Sequence, residues 1–425
     1  MGEVATVKGG KRLPLGHSLI KTPTKHPYVR VRDINSKFID AVPLEYISDN
    51  TFGFISSYIV NTDDLILSIV GTIGLTAIIP PNLDGASLTE NCVKLNNLNG
   101  VNKDFLYYFL ISSKGQCEIS KRTVGAVQAK LPIYNIKEIE LLLPPLKEQQ
   151  KIGKILGNYD GLIDNNTKRI KILEEMAKSI YKDWFIDFKF PGYKKVNFEK
   201  SKLGLLPTTW DIKNLGSLLS HTIGGGWGED IETTRHSCPA HVIRGTDIPQ
   251  VSKGDLSGCG VRYHTQSNLE TRTLEPSDIV FEVSGGSKGQ PVGRAVILNE
   301  KIFNNFITDV MCASFCKLIR VNKELIYPYY VFMHLQEIYR TGHICKYQVQ
   351  STGISNFKYT AFLEDEMLVI PNKQIQEKFK EIIAPIWEEI TLLGMKNQNL
   401  RQTRDLLLPK LISGEIDVEK MDIKA

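Results

Sequence analysis

Two stretches of this sequence carry the same heptad pattern, and the second lies 227 residues after the first. Apolar residues recur in alternating steps of four and three, which is typical of a helix that buries one narrow stripe against a partner helix. The first stripe is Ile152, Leu156, Tyr159, Ile163, Asn166, Ile170, Leu173, Ala177, Ile180 and Trp184, and the second is Phe379, Ile383, Ile386, Ile390, Leu393, Asn397, Leu400, Arg404, Leu407 and Leu411. The pattern predicts a tandem repeat whose units each end in a long amphipathic helix.

Each stripe contains one asparagine, and the two asparagines indicate how the helices pair. If the helices run antiparallel with Ile152 opposite Leu411, the residue numbers of every facing pair add up to the same total. Asn166 then lies opposite Asn397. A buried asparagine pair fixes register, because slippage would leave two amides unsatisfied at about 1–3 kcal/mol each. We therefore expect antiparallel pairing with Asn166 and Asn397 as register residues. The alternative is that each helix packs on another part of the chain.

The segments that precede the two helices also repeat. Val29–Ile34 matches Ile243–Ile248 at an offset of 214 residues, and we match Gly125–Lys130 with Gly353–Lys358 at an offset of 228. The change of offset places an insertion in the second copy, partly within residues 284–294. We predict an α+β fold with a pseudo-two-fold internal repeat, in which two long antiparallel coiled-coil helices join two mixed α/β domains. The predicted boundaries are 1–143 for the first domain, 144–190 for the central helix, 191–370 for the second domain, 371–413 for the C-terminal helix and 414–425 for a charged tail.

Local patterns predict the elements of the first domain. Runs of β-branched and aliphatic residues indicate strands, and Gly71–Gly74 indicates a turn between two of them. The short aromatic run Asp104–Ile111 indicates a helix that Lys103 and Asp104 could cap. The predicted strands are Tyr28–Arg32, Asp64–Val70, Leu75–Ile79 and Glu138–Leu143.

Composition narrows the class of protein. The chain has 425 residues, with 42% hydrophobic and 23% charged residues, which is typical of a globular protein with more than one domain. No apolar run approaches the roughly 20 residues that span a bilayer, and the N-terminus lacks the apolar segment of a signal peptide. Seven cysteines at irregular spacing favour reduced thiols. We expect a cytoplasmic protein without membrane contact, whose formal charge of +5 permits nucleic-acid binding without requiring it.

Motifs for catalysis are not apparent, and we assign no catalytic residue. The Gly-rich runs Gly224–Gly228 and Gly285–Gly289 lack the spacing of phosphate-binding or dinucleotide-binding loops. His236, Cys238 and His241 are residue types that bind zinc, but no second ligand pair follows them, so we assign no metal site. A zinc-dependent enzyme built on these three residues remains an alternative.

The remaining polar candidates suit DNA binding. Arginine offers a planar fork for guanine or phosphate, and Arg244 repeats Arg30 in the second copy, while Arg32 lies close to Arg30 in sequence. Turns of small residues can approach a groove closely, which favours the Gly71-Thr72 turn and the Ser284–Gln290 loop. Candidate DNA-binding residues are Arg30, Arg32, Thr72, Lys130, Arg244, Ser287, Lys288, Gln290 and Lys358.

The layout resembles the specificity subunit of type I restriction-modification systems. The resemblance rests on Leu143–Ile152 (LPPLKEQQKI), on its degraded counterpart Ile370–Phe379, and on Gly204–Trp210 (GLLPTTW) at the head of the second domain. Asp64–Gly74 and Leu407–Gly414 add to it, so that nearly the whole chain is covered. One departure is that the first domain lacks the Pro-x-x-Trp opening seen at Pro207–Trp210.

The resemblance implies a non-catalytic subunit that recognises double-stranded DNA. Each domain would be a target-recognition domain for one half of a bipartite asymmetric site, and the coiled coil would set the spacer and dock two methyltransferase subunits. Restriction/translocase subunits would complete the complex. S-adenosylmethionine, ATP and Mg would serve those partners, with no cofactor in this subunit. Glycine-loop residues would approach DNA, which adds to the case for Thr72, Ser287, Lys288 and Gln290. The alternative is a coiled-coil protein-protein scaffold that does not read DNA.

Overall fold

The chain forms two compact units. A computed structural model describes residues 1–39, 44–125, 127–285, 290–351, 354–419 and 421. Unit 1 consists of Met1–Ile163 and Leu400–Ala425, and unit 2 of Asp164–Asn399. Each unit therefore includes part of both long helices, whereas the sequence pattern separates helices from domains.

Unit 1 contains two small sheets. The first has the strand order β1-β7-β4-β5 and is antiparallel throughout; the second has the order β3-β2-β6, in which β2 and β6 are parallel. The strands are β1 (Thr6–Gly9), β2 (Pro27–Val29), β3 (Glu45–Tyr46), β4 (Leu65–Ser68), β5 (Thr76–Ile78), β6 (Ser87–Leu88) and β7 (Cys92–Asn96). The helices are α1 (Asp49–Ile55), α2 (Lys103–Ile111), α3 (Ser113–Lys121), α4 (Ile133–Lys137) and the first long helix α5 (Leu146–Tyr181), which continues into unit 2.

Unit 2 repeats both sheets and adds three further sheets of two or three strands. Its strands are β8 (Phe198–Ser201), β9 (Gly204–Pro207), β10 (Asp211–Asn214), β11 (Leu219–Gly224), β12 (Cys238–Ile243), β13 (Val261–His264), β14 (Ile279–Glu282), β15 (Ser284–Gly285), β16 (Ala295–Ile297), β17 (Asp309–Cys312), β18 (Cys316–Val321), β19 (Gln348–Ser351), β20 (Ile354–Phe357) and β21 (Met367–Ile370). The helices are α6 (Ile248–Val251), α7 (Gln266–Arg272), α8 (Glu300–Phe303), α9 (Pro328–Arg340), α10 (Tyr359–Asp365) and the second long helix α11 (Lys373–Ser413), which continues into unit 1.

The strand orders confirm the internal repeat. The order β11-β18-β14-β16 in unit 2 reproduces β1-β7-β4-β5, and β13-β12-β17, with β12 and β17 parallel, reproduces β3-β2-β6. Unit 2 alone has the hairpin β8-β9, the pair β10-β21 and the sheet β15-β20-β19 among the residues that are described. The predicted α+β class and the two mixed domains are therefore confirmed.

The short aromatic helix α2 provides much of the core of unit 1. Phe105, Tyr108 and Phe109 are buried in one cluster with Leu67 and Val93 of the antiparallel sheet. Burial of each such side chain contributes about 2 kcal/mol. The cap of α2 differs from the predicted one, because the side chain of Asn102, and not that of Lys103 or Asp104, accepts the backbone N–H of Phe105 at 3.1 Å.

The two long helices run antiparallel within each unit, as the stripes predict. In unit 2, Asn166 lies opposite Asn397 in a buried position, and its Nδ2 donates to Asn397 Oδ1 at 2.9 Å. In unit 1, Ile152 and Leu411 are buried in the same cluster. The facing positions therefore follow the predicted register.

In unit 1 the stripe residue Arg404 forms an ion pair with Asp160, which is next to the stripe residue Tyr159 on α5. Arg404 Nη1 lies 2.5 Å from Asp160 Oδ1, and the hydroxyl of Tyr108 donates to Asp160 Oδ2 at 2.5 Å. Burial and the carboxylate of Asp160 together raise the pKa of Tyr108, so its hydroxyl stays a donor. The stripe of α11 thus accommodates an arginine because Asp160 of α5 pairs with it, while Tyr108 of α2 donates to the other oxygen of the same carboxylate.

Two predicted strands are wrong in extent or type. The strand predicted over Tyr28–Arg32 ends at Val29, and a 3-10 turn follows at Val31–Asp33. The strand predicted over Glu138–Leu143 does not form. In unit 2 the corresponding β21 pairs with β10, whereas in unit 1 the amino group of Met1 donates to Ile139 O at 2.7 Å and the N–H of Glu140 donates to Glu118 Oε2 at 3.2 Å. A strand needs a hydrogen-bonded neighbour along its length, and isolated bonds do not replace it.

No helix among the described residues is both long enough and apolar enough to cross a membrane.

Candidate nucleic-acid interface

In unit 1, backbone hydrogen bonds join four chain segments at the ends of strands β2, β4 and β6. The N–H of Thr89 donates to Val29 O at 3.0 Å, the N–H of Ile69 donates to Asn91 O at 2.8 Å, and the N–H of Leu131 donates to Ile69 O at 2.9 Å. We name these segments the turn edge of unit 1: Arg30, the turn Thr89–Asn91, the turn 70–74, and Lys130. The structure thus brings Arg30, Thr72 and Lys130 to one edge.

Unit 2 builds the same edge with the same three hydrogen bonds. The N–H of Ala313 donates to Ile243 O at 2.9 Å, the N–H of Val283 to Phe315 O at 2.9 Å, and the N–H of Phe357 to Val283 O at 3.0 Å. The turn edge of unit 2 therefore consists of Arg244, the turn Ala313–Phe315, Ser284 with Gly285, and Asn356. Backbone hydrogen bonds identify the equivalent positions of the two edges, even where the side chains at those positions differ.

The backbone pairing corrects the predicted match between Lys130 and Lys358. Lys130 pairs with Val70 in unit 1, and the residue that pairs with the equivalent Ser284 in unit 2 is Asn356. Lys358 lies two residues further along, at the N-terminal cap position of α10, and its N–H donates to Tyr347 O at 2.8 Å. Both lysines are exposed, but they do not occupy the same place in the repeat. Their DNA-binding roles stay predictions.

Arg30 and Arg32 share one carboxylate. Arg30 Nη1 forms a short ion pair with Glu45 Oε2, and Arg32 Nη2 lies 3.0 Å from the same oxygen. The side chain of Arg30 is 20% exposed and that of Arg32 is 59% exposed. Arg32 is therefore the more accessible cation of the two, while the Arg30 guanidinium lies largely within unit 1.

Arg244 is accessible but already holds a carboxylate. Its Nε donates to Asp247 Oδ2 at 2.9 Å and its Nη2 to Asp247 Oδ1 at 2.8 Å, with 46% of the side chain exposed. The hydrogen bond and charge of Asp247 raise the pKa of Arg244, so the guanidinium keeps its charge. A base or phosphate that takes the same two nitrogens must displace Asp247.

The recurrence of Arg30 as Arg244 has a local structural cause. The backbone N–H of Arg30 donates to Asp33 Oδ2 at 2.8 Å, and that of Arg244 donates to Asp247 Oδ2 at 2.9 Å. In both units the aspartate three residues later closes the turn that ends the strand. The aspartate is therefore as much a part of the repeat as the arginine.

Thr72 is exposed at the tip of the turn between β4 and β5. Gly71 and Gly74 both have positive φ, 81° and 92°, a conformation that glycine adopts without strain. The hydroxyl of Ser68 donates to Thr72 O at 2.6 Å and fixes the turn from within. The Thr72 side chain is consequently presented to solvent on a fixed backbone.

The equivalent loop of unit 2 is described only at its ends. Ser287 and Lys288 lie outside the described residues, and their roles stay predictions. Gln290 is exposed and its side chain hydrogen-bonds Tyr339. Arg294, four residues beyond it, is paired with the buried Glu282 through Nη2 and Oε1 at 2.6 Å, which anchors the end of the loop.

The three candidate zinc ligands are engaged elsewhere. His241 Nδ1 lies 2.7 Å from Thr308 Oγ1, and the thiol of Cys238 donates to Gln266 Oε1 at 3.2 Å. His236 accepts or donates within its own turn, with Nδ1 3.4 Å from Thr233 Oγ1. Among the residues that the structure describes, no three His, Cys, Asp or Glu side chains form a group that could hold a metal ion.

Sequence reasoning missed two aromatic residues beside the turn edge of unit 2. Phe315 is exposed within the turn itself, and Trp227 is partly exposed with the guanidinium of Arg262 stacked 4.3 Å from its ring centre. The glycine loop that carries Trp227 adjoins the edge, since the N–H of Gly225 donates to Cys316 O at 3.0 Å. A lone aromatic residue in a loop gives no sequence signal, and only the backbone pairing places it.

Several known proteins with similar sequences are described as type I restriction enzyme specificity subunits. Residues 1–175 match the family described as type I restriction modification DNA specificity domain. The putative type I restriction enzyme MjaX specificity subunit of Methanocaldococcus jannaschii is 29% identical over 415 residues, which are 93% of this chain and 88% of that protein. The MjaIX specificity subunit of the same organism is 26% identical over 329 residues, covering 76% of this chain and 71% of that protein. The HindI specificity subunit of Haemophilus influenzae is 24% identical over 365 residues, covering 75% and 79%.

A solved structure has the same fold. The type I restriction-modification S subunit from M. genitalium superposes with a TM-score of 0.58 at 14% sequence identity, covering 96% of this chain and 94% of that one.

Proposed function

The chain belongs to the specificity subunits of type I restriction-modification systems, and we propose that its two units each read one half of a bipartite, asymmetric DNA site. One observation carries this proposal: the two turn edges have the same backbone hydrogen bonds but different side chains. An identical frame positions the units on a duplex in the same way, while different side chains select different bases. The half-sites are therefore expected to differ in sequence.

The side chains on the edges match groups that read DNA. Arg32 and Arg244 can bind guanine or phosphate through a planar fork, and Thr72 can approach a groove on its glycine turn. Lys130 adds a flexible charge that suits phosphate. Arg32 and Arg244 each pair with a carboxylate of the protein. A phosphate or base can replace that carboxylate, because one set of charge-assisted hydrogen bonds is then exchanged for another.

We assign the spacer and the assembly of the complex to the long helices. Helices α5 and α11 have 36 and 41 residues, and the register that Asn166 and Asn397 support would fix the length of DNA between the half-sites. On α5, Ile172 and Met176 are exposed one turn apart, away from the buried stripe. Exposed apolar side chains at this spacing suit a helix that docks a partner, here two methyltransferase subunits.

The catalytic steps of the complex then belong to the partners. S-adenosylmethionine would bind in the methyltransferase subunits, and ATP and Mg in restriction/translocase subunits that complete the assembly. This subunit would act on cytoplasmic DNA without a cofactor of its own. A coiled-coil scaffold that does not read DNA is the competing function, and it predicts assembly with partners but no sequence preference.

The test compares Arg244→Ala with the wild-type chain, both assembled with the methyltransferase subunits. Mapping of methylated adenines in genomic DNA first gives the bipartite site. Binding is then measured on duplexes in which one half-site at a time is randomised. We expect Arg244→Ala to weaken binding about tenfold when the half-site of unit 2 is intact and to have little effect when that half is randomised.

Lys323→Ala is the matched control, because Lys323 is an exposed cation beyond the other end of β18 from the turn edge. Equal weakening by Arg244→Ala on both duplexes would make Arg244 a phosphate contact. Wild-type complex that forms but prefers no sequence would instead support the scaffold function.

A further inference from the structure

Phe315 lies in the turn that joins β17 and β18. The N–H of Cys316 donates to Ala313 O at 2.8 Å and closes a four-residue turn, of which Phe315 is the third residue. The equivalent turn of unit 1, closed by Cys92 N–H and Thr89 O at 3.1 Å, has Asn91 at this position, and neither residue has a positive φ. A turn of this kind is compatible with most residues. Turn geometry therefore does not explain why unit 2 has phenylalanine where unit 1 has asparagine.

Packing does not account for Phe315 either. Its side chain is 62% exposed and belongs to none of the apolar clusters of unit 2. Its backbone, in contrast, is held in place, because Phe315 O accepts the N–H of Val283 at 2.9 Å and that of Ser284 at 3.3 Å. The ring is thus an exposed apolar group that projects from a fixed backbone position.

The position of Phe315 is the centre of the turn edge. On one side, the N–H of Ala313 is bonded to Ile243 O, next to Arg244; on the other, Phe315 O is bonded to Val283 and Ser284, at the start of β15. Phe315 therefore lies between Arg244 and Ser284 along the turn edge, so a duplex that contacts both residues would lie next to the phenyl ring. This step rests on the proposed DNA-reading function.

We propose that Phe315 is a specificity-determining residue, and that its ring contacts the C5-methyl group of a thymine in the half-site of unit 2. In the major groove the thymine methyl is the apolar group that distinguishes this base from cytosine, and phenylalanine is among the side chains that contact it. Asn91 occupies the same point in unit 1, where its amide suits the N6 and N7 edge of adenine. The pair would give the two units different base preferences from the same backbone frame.

The test removes the methyl group and the ring separately. In the mapped site, each thymine of the unit 2 half is replaced by uracil, which lacks only the C5-methyl, and binding is measured for wild type and Phe315→Ala assembled with the methyltransferase subunits. At one position, uracil should weaken wild-type binding about fourfold, the value of one buried methyl group, and should not change the binding of Phe315→Ala. The half-site of unit 1 should be read equally by both proteins.

Two variants serve as controls. Ile307→Ala removes an 87% exposed apolar side chain from the loop before β17, at the opposite end of that strand, and should respond to uracil as the wild type does. Phe315→Leu keeps an apolar side chain and should retain part of the thymine preference. Thermal unfolding should be the same for all four proteins because both sites are on the surface.

Equal responses of wild type and Phe315→Ala to uracil at every thymine would overturn this inference alone, as would a unit 2 half-site without thymine on either strand. A wild-type complex that does not prefer its mapped site over random duplex would overturn the proposed function and this inference together.

Discussion

Unit 1 and unit 2 have the same frame and different surfaces. The two sheets have the same strand orders, and three backbone hydrogen bonds recur at equivalent positions of the turn edges within 0.1 Å. At the side-chain level, Asn91 is replaced by Phe315 and Lys130 by Asn356. Backbone pairing maintains the fold whatever side chains project outward, so the edge can change its chemistry without changing its geometry.

The units also stabilise their junctions with the helices differently. Between the long helices, unit 1 has the charged pair of Asp160 and Arg404, while unit 2 has the neutral pair of Asn166 and Asn397. After the short helix α10, unit 2 buries Glu366, whereas Glu138 at the end of the equivalent α4 is exposed. The two units therefore have the same strand orders but are stabilised by different polar interactions.

The largest expected effect tests what the units share. A Cβ on Gly10 would lie 2.0 Å from Thr89 O, and a Cβ on the equivalent Gly225 would lie 2.1 Å from Cys312 O. Because the obstruction is backbone, Gly10→Ala and Gly225→Ala should each lower the free energy of unfolding by about 3 kcal/mol. Urea unfolding followed by tryptophan fluorescence reports unit 2, which contains all four tryptophans, and far-UV circular dichroism reports both units.

Gly53→Ala and Gly260→Ala are the matched controls, since nothing lies within 4 Å of a Cβ at either position. Gly260→Ala should change stability by less than about 0.5 kcal/mol, whereas Gly53→Ala, within helix α1, should raise it by up to about 1 kcal/mol because alanine favours a helix. Tolerance of alanine at Gly225 with loss at Gly10 would show that the two frames are less alike than their hydrogen bonds indicate.

The second prediction tests a feature of unit 2. Burial alone would raise the pKa of Glu366, but hydrogen bonds from His334 and Tyr347 and the charge of the histidines outweigh it and lower the pKa to about 2. The Tyr347 hydroxyl donates to Glu366 Oε2 at 2.8 Å, and His334 Nε2 lies 3.0 Å from Oε1. Glu366→Gln should therefore lower the free energy of unfolding of unit 2 by about 2 kcal/mol at pH 7.

The pH dependence follows from the direction of this shift. The unfolded chain binds the proton near the ordinary value of 4.5, and the folded chain binds it only near 2. The contribution of the carboxylate is therefore complete above pH 4.5 and disappears as the pH falls towards 2. The difference between wild type and Glu366→Gln in urea unfolding should shrink over this range. Glu138→Gln changes an exposed glutamate at the equivalent place in unit 1 and should alter the free energy of unfolding at pH 7 by less than about 0.5 kcal/mol.

The smallest expected effect concerns the helix stripe. Asn397→Leu leaves the buried amide of Asn166 without its partner Oδ1 and should cost about 1 kcal/mol. Replacement of both asparagines by leucine removes both polar groups and should restore most of that stability, although it no longer opposes slippage of the helices. Thermal melts of the two single variants and the double variant form a cycle that measures the coupling. A double variant that is less stable than both single variants would contradict the pairing role.

Several features could be predicted from the residue pattern because they depend on periodicity. The antiparallel register of α5 and α11 follows from the stripes and from the placement of Asn166 and Asn397, and the repeated sheets follow from matches such as Val29 with Ile243. A helix that buries one face has an apolar residue at every third or fourth position. Such a pattern over a long helix remains recognisable when individual residues are substituted.

The turn edge could not be predicted in the same way. The match of Lys130 with Lys358 fails by two residues, and the strand expected over Glu138–Leu143 does not form, because both depend on which distant segment supplies the hydrogen-bond partner. The place of Phe315 likewise depends on two bonds between distant residues. Ala313 bonds Ile243, 70 positions earlier, and Phe315 bonds Val283, 32 positions earlier. Sequence alone determined the helices, their register and the repeat, since these depend on local spacing. Only the tertiary structure decided which side chains meet at the edges, since backbone pairing between distant segments is indifferent to the side chains that it brings together.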